Sequence, residues 1–385
     1  MDKLFLSDEH TMLVEMVRDF AKNEITPIAA KLDKSETFPR DLVTQMAKLG
    51  LMGIPIPEKL GGVGMDIVAY TAAVMELARA DASVAITMAA HTSLGTTPIL
   101  IAGTEEQKKK YIPALASGEM IGAFGLTEPD AGSDAGATKT TAIKIGHEYV
   151  INGGKIFITN AGEAGLINIT SRIIENGEDL GIGAFIVPTN TPGFKLGPKE
   201  KKMGWRASDT RQLFFEDMVI PSENMLGRPG KGFKTFLKTL TGGRISVAAL
   251  SVGTALGAYE RALKYATERK SFGKEIHKFQ AVGNKLADMA TEIEAAKLLT
   301  FHAAWMKDQG QNIIKEGAMA KLFASETAMR TTTEAIQVLG GYGYVKEYDV
   351  ERFFRDAKIL EIGEGTSEIQ RLIIAKNIIN SIKGL

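Results

Sequence analysis

A single glutamate set between two glycines raises the question of chemistry. In IGEGTSEIQ (residues 362–370), Glu364 lies between Gly363 and Gly365, just ahead of a segment that reads as helix. Two glycines strip away side-chain cover and let another molecule approach the main chain. Thr366 or Ser367 is suited to cap the following helix, with Glu368 in its first turn. Alone, the pattern is equally an exposed acid at the start of a helix. The rest of the chain has to decide.

Other short polar stretches invite the same question. FGLTEPDAGSDA (residues 124–135) carries Thr127, Glu128 and Ser133 among small residues, and hydroxyls with backbone amides suit a polar ring edge or a pyrophosphate. KIFITNAG (residues 155–162) puts an aromatic, Phe157, and a donor, Thr159, on one face of a strand. ERKSFGK (residues 268–274) sets cations beside a turn, for which phosphate is a fitting partner. Taken one at a time, these stretches are more commonly a β-domain loop, core packing and a solvated helix end. QVLGGYGY (residues 337–344) is equally a glycine helix stop, and KLGPKEKKMGWR (residues 195–206) reads as a solvated loop. No G-x-S-x-G, G-x-x-x-x-G-K-[ST] or H-E-x-x-H occurs, and GGVGMD and GIGAFI lack the strand–glycine–helix context of a dinucleotide fingerprint. Histidines 10, 91, 147, 277 and 302 are dispersed, so no metal site is expected.

These residues must be held by elements, and bulk composition bounds what kind. With 385 residues the chain exceeds the usual limit of one core, so two or three domains are expected. Lys plus Arg equals Asp plus Glu at 46 each, which argues against a nucleic-acid partner. The absence of cysteine excludes disulfides and thiolate catalysis. MDKLFLSDEH lacks a signal-peptide pattern. No apolar run of membrane-spanning length is expected, and a cytoplasmic location is the simplest reading.

The hydrophobic period divides the chain into three blocks. To about Ser117 it is helical: Ser7 is an N-cap candidate, Pro39 opens a helix ending at Gly50, and Thr104 with Gln107 has capping-box spacing. From about Met120 to Gly227 the period is two. There, EYVINGGKIFIT suggests a hairpin at Asn152, Gly153 and Gly154, and Pro188 and Pro221 end further strands. From Lys231 the helical period returns, predicting three long helices and one shorter one. Their breaks fall near residues 271–273, 309–312 and 340–343. This is an α+β order.

In this order, FGLTEPDAGSDA, KIFITNAG, RKSFG, QVLGGYGY and EGTSEIQ resemble the acyl-CoA dehydrogenase family, in particular its short-chain or butyryl members, over essentially the whole chain. The resemblance implies the acyl-CoA dehydrogenase fold: an N-terminal helical domain (1–119), a middle antiparallel β domain (120–228) and a C-terminal four-helix bundle (229–385). It implies FAD, a homotetramer built as a dimer of dimers, acyl-CoA as substrate and an electron-transferring flavoprotein as electron partner, with neither nucleic acid nor membrane. Phe124, Leu126, Thr127 and Ser133 would line the flavin, Ser133 also near the substrate. Phe157 and Thr159 would flank the isoalloxazine, Thr159 near N5, and Thr366 and Glu368 would touch the FAD of their own subunit. Arg269, Ser271, Phe272, Gln280, Gln337, Gly340 and Gly341 would hold a neighbour's FAD.

Glu364 matches the base that removes the α-proton of the thioester while the β-hydride moves to the flavin, and Gly365 would let the thioester lie against the backbone. Relatives that place the base elsewhere carry it on the helix reading TLTGGR here, where no acid stands. The family's usual aspartate there is Thr241, which puts one CoA contact in question, while Arg244 is expected at the adenosine end. Gly363 stands where many relatives have tyrosine, implying either tolerance of a branched or bulkier acyl group or a gap closed by a nearby aromatic. Two other readings stay open: an enoyl-CoA reductase in an electron-bifurcating complex, and a non-catalytic or DNA-binding relative. Glu364 and the balanced charge argue against the last.

Overall fold

The computed structural model describes residues 4–383. The N-terminal block forms α1 (Asp8–Phe20), α2 (Ala29–Ser35), α3 (Arg40–Lys48), α4 (Ile67–Ala80), α5 (Ala82–Ala90), α6 (Thr97–Ala102) and α7 (Glu105–Ala116). Ser7 and Thr104 each close a capping box, with His10 and Gln107 returning the bond. Gly50 ends the α3 turn in the left-handed region at φ 75°.

Seven strands follow: β1 (Ile121–Gly125), β2 (Thr141–Ile145), β3 (Glu148–Thr159), β4 (Ala164–Glu175), β5 (Glu178–Pro188), β6 (Phe194–Lys199) and β7 (Thr210–Pro221). They form one sheet in the order β1-β4-β2-β3-β7-β6, with β5 on β4. The sheet is mixed, not wholly antiparallel as expected. β4 runs parallel to both β1 and β2, which the long excursion through β2 and β3 permits. Nor is there a hairpin at Asn152–Gly154. β3 runs straight through, and Gly153 (φ 136°) sits at a register shift against β7 where a Cβ would lie 2.7 Å from Thr140 Oγ1. These glycines serve a bulge. The tight turns are elsewhere, at Gly146 and at Asn176–Gly177, both of the latter with positive φ.

The C-terminal block comprises α8 (Gly232–Glu268), α9 (Gln280–Asp308), α10 (Ile314–Leu339), α11 (Val350–Ala357) and α12 (Ser367–Lys383). The breaks lie where the sequence places them, but two shorter helices follow the three long ones, since residues 358–366 interrupt the last segment. The two helical blocks share one core: Val17, Leu77 and Ala85 pack in a single cluster with Leu250, Phe301 and Ala324. At its centre runs the continuous helical stretch Ala82–Ala102. Contrary to expectation, its 21 residues are long and apolar enough to cross a membrane, yet 83% of its most apolar window is buried inside the protein. A helix that is apolar all round is what the middle of a large core demands.

Candidate active site

Glu364 reaches the interior through a strained turn. It has φ 54° and Gly365 φ 99°; glycine takes such a φ freely, but a left-handed glutamate is unfavourable and the surroundings must enforce it. They do so at the Gly365 carbonyl, which accepts a bond from Lys321 Nζ at 2.8 Å and another from Gln370 Nε2 at 2.8 Å. Behind the turn, Thr366 Oγ1 accepts the Ile369 N–H at 3.4 Å, so Thr366 caps α12, and Glu368 stands exposed in its first turn.

The carboxylate lies against α8. A Cβ on Gly243 would sit 2.0 Å from Glu364 Oε2 and 3.3 Å from Leu94 Cδ2. Glu364 Oε2 is buried and has no hydrogen-bond partner among the described residues. Burial pushes the carboxyl up to about 7, and the charges of Lys321 and Arg244 oppose that rise. Burial pulls Lys321 down to about 8, against the pull of the Glu364 charge. Arg244 is buried beside the carboxylate, with its Nε and Nη1 unpartnered among the described residues. A guanidinium so enclosed does not suit the adenosine end of a coenzyme, where the sequence reading put it. Tyr70 of α4 also feels the Glu364 charge, and its hydroxyl lies 3.1 Å from the Ala89 carbonyl and 3.2 Å from Ser246 Oγ. Thr241 spends its hydroxyl on the Leu237 carbonyl one helical turn back, at 2.9 Å.

Two devices hold the walls. A π-helical turn, His91–Thr96, presents Leu94 to the carboxylate. His91, fully buried and pulled down to about 4 by burial, accepts the Gly122 N–H on Nδ1 at 3.0 Å, which leaves Nε2 to donate to the Leu115 carbonyl at 3.0 Å. The loop after β1 is braced by a buried ion pair. Lys155 Nζ donates to Glu128 at 2.7 Å, to the Leu126 carbonyl at 3.2 Å and to Thr170 Oγ1 at 3.1 Å, and the Ile156 N–H bonds the Thr127 carbonyl at 2.9 Å. This ties Leu126 and Thr127 to Phe157 and Thr159 on β3. Phe124 stacks on Phe236 at 4.1 Å, Leu126 is buried, and Ser133 is exposed. Phe157 is 63% exposed with φ 61°. An aromatic held out to solvent in the left-handed region is a strained arrangement that points to function.

The remaining predicted residues gather at a second place. Gln337 follows Lys321 on α10 by 16 residues, roughly 24 Å of helix. There Arg269 lies over the Tyr342 ring at 5.3 Å, and Phe272, 93% exposed, meets Phe279 edge-on at 6.0 Å. Ser271 is half-buried, Gln280 and Gln337 are exposed, and a Cβ on Gly340 or Gly341 would meet nothing within 4 Å. Sequence reasoning missed Lys321, Tyr70, Leu94, Gly243 and the Lys155–Glu128 brace as parts of the site. Gln370 stood within the first motif, six positions after the glutamate; the others carry no local signal.

The description "Acyl-CoA dehydrogenase, N-terminal domain" matches residues 7–119, the middle domain of the same family residues 123–218, and its C-terminal domain residues 230–379. A curated relative from Clostridium acetobutylicum, "Acyl-CoA dehydrogenase, short-chain specific", is 48% identical over 373 residues, covering 97% of this chain and 98% of that one. Among solved structures, butyryl-CoA dehydrogenase from Megasphaera elsdenii superposes with a TM-score of 0.95 at 44% identity, covering 97% of this chain and 99% of the other. A chain in a structure described as the electron transferring flavoprotein of Acidaminococcus fermentans, concerned with flavin-based electron bifurcation, gives 0.95 at 45% identity, with 97% and 98% covered.

Proposed function

The chain belongs to the acyl-CoA dehydrogenase family, FAD-dependent oxidoreductases acting on CH–CH bonds, and on that premise we propose that it oxidises a short-chain acyl-CoA between Cα and Cβ with Glu364 as base. The observation that carries this reading is the buried, unpaired Glu364 Oε2 held near neutrality. An ordinary carboxylate is far too weak to take a proton from carbon α to a thioester. Desolvation strengthens it, and a base poised near working pH is present in its active form when needed. The Glu364 N–H, turned by the left-handed backbone, donates to the thioester carbonyl and steadies the charge that grows there as the Cα–H bond breaks. Gly365, without a side chain, leaves that approach open.

The residues present fit FAD. The exposed, strained Phe157 offers a flat ring beside Thr159, Leu126 and Thr127 line the loop next to it, Ser133 is open to solvent, and Thr366 and Glu368, assigned to the same subunit's FAD, stand at the start of α12. Arg269, Phe272, Gln280, Gln337, Gly340 and Gly341, all exposed, with the half-buried Ser271, form a second cluster suited to the pyrophosphate and adenosine of a neighbouring copy's cofactor, which fits a homotetramer. When bound, FAD would supply the acceptor for the hydride that leaves Cβ. An electron-transferring flavoprotein would be the electron partner. Thr241 and Arg244 are assigned to the substrate, and Gly363, with only the Ile359 carbonyl oxygen among the described residues within 4 Å of a built Cβ apart from its chain neighbours, leaves room for a branched acyl group.

The test is anaerobic titration with a panel of saturated acyl-CoAs, watching flavin absorbance. Short-chain thioesters bleach the flavin, and Glu364→Gln keeps FAD and still binds acyl-CoA but loses turnover by several orders of magnitude. A variant with near wild-type rate removes Glu364 from the role. One observation favours a second reading: the A. fermentans structure concerns electron bifurcation, a setting in which the same site would reduce an enoyl-CoA. The potential of the electron partner sets the direction, and oxidation by saturated thioesters alone favours the first.

A further inference from the structure

Lys321 is a lysine where a core would not ordinarily keep one. Its side chain is completely buried on α10, and a buried ammonium is expensive unless paired. The one hydrogen bond its Nζ makes among the described residues is to the Gly365 carbonyl, at 2.8 Å. Gln370, also fully buried, donates to the same oxygen at 2.8 Å, and a Cβ on Gly365 would lie 2.7 Å from Gln370 Nε2. Two donors thus converge on the carbonyl immediately following the base. Their effect on the backbone is direct: with the Gly365 oxygen pinned, the left-handed conformation of Glu364 persists although it is unfavourable for a residue with a side chain, while Gly365 adopts its own positive φ freely.

We propose that Lys321 is the positioning residue of this active site, clamping the Gly365 carbonyl so that the strained turn presents Glu364, with its ammonium as a buried cation near the carboxylate. The inference rests on Glu364 acting as the base. Gln370 supplies the clamp without the charge, and Arg244 supplies charge without touching the turn. The groups facing the carboxylate are Lys321 from α10, Arg244 from α8 and the neutral Tyr70 from α4. Around Lys321 stand Glu364, Glu361, Arg244 and Glu368. With burial driving Glu364 toward the neutral acid, removing one of two nearby cations moves its titration upward. A base that ionises only above neutrality is mostly protonated, and idle, at pH 7.

Three variants of the FAD-loaded enzyme separate these roles: Lys321→Met removes donor and charge, Lys321→Gln keeps a donor, and Gln370→Leu removes the other donor. The readouts are the pH profile of kcat/KM, which reports free-enzyme groups, and an infrared titration of the Glu364 carboxyl, assigned by subtracting Glu364→Gln. Both Lys321 variants are expected to move the acidic limb and the carboxyl titration upward by about one to two pH units, a loss of about tenfold or more at pH 7 that high pH restores. The plateau at high pH is expected to fall in Lys321→Met and Gln370→Leu but to survive in Lys321→Gln. Gln370→Leu should leave the limb in place. Unmoved titration in the Lys321 variants, or an equal move in Gln370→Leu, overturns the proposal. Should Lys321→Met not fold, Lys321→Gln against Gln370→Leu makes the same comparison. The infrared readout needs no turnover, so it tests the tuning even if Glu364→Gln proves active and the assignment of the base falls.

Discussion

Replacing Gly243 by alanine should separate the site from the fold. The new methyl would begin 2.0 Å from Glu364 Oε2, whereas non-bonded atoms settle near 3.5 Å, so the carboxylate must retreat by about 1–1.5 Å. That retreat is cheap for folding, because the obstacle is the free end of a side chain. Alanine in the middle of α8 also gains about 0.8–1 kcal/mol of helix propensity over glycine, less a few tenths for the tight contact with Leu94 Cδ2 at 3.3 Å. For chemistry the same retreat is costly. A misplacement of about 1 Å in a reacting group lowers the rate roughly 100-fold, about 2.7 kcal/mol of transition-state stabilisation. The expected Gly243→Ala protein therefore melts at the wild-type temperature or above, retains FAD, and loses about two orders of magnitude in kcat/KM. Circular-dichroism melting, flavin absorbance and steady-state kinetics on one preparation are sufficient. A rate within about threefold of wild type, or activity lost only in step with the fold, refutes the reasoning.

Three further outcomes follow from the same geometry. With Glu364 near 7, kcat/KM should rise about tenfold per pH unit on the acid side and level off above neutrality; a limb below pH 5 contradicts the burial argument. The same shift has a stability cost. The carboxyl ionises near its ordinary value when unfolded but only near 7 when folded, so wild type loses stability as pH climbs between those values. Glu364→Gln has no such penalty, and its melting-temperature advantage should widen from pH 5 to pH 8; a pH-independent difference denies it. Gly363→Tyr should penalise isobutyryl-CoA, 2-methylbutyryl-CoA and an aromatic propionyl-CoA selectively while butyryl-CoA turnover survives, and an equal fall for all four removes Gly363 from substrate choice.

Much of this protein is written locally. Capping boxes at Ser7 and Thr104 and prolines at 188 and 221 mark element ends because each acts within a turn of chain. The glutamate between glycines is legible for the same reason, since backbone freedom is a property of the residues themselves. Asn152–Gly154 shows the limit. Glycine permits a hairpin or a bulge equally, and the approach of Thr140, the residue just before β2, selects the bulge. The direction of β4 is likewise a matter of which strands meet. The basicity of Glu364 lies wholly beyond local pattern. It arises because α4, α8 and α10 converge from distant parts of the chain to exclude water, with Leu94, Gly243, Arg244 and Lys321 each supplying one wall or one charge. Desolvation depends on everything within several ångströms and on nothing in the order of residues, so the sequence determined that an acid would stand at this turn, and the tertiary structure alone raised its affinity for a proton.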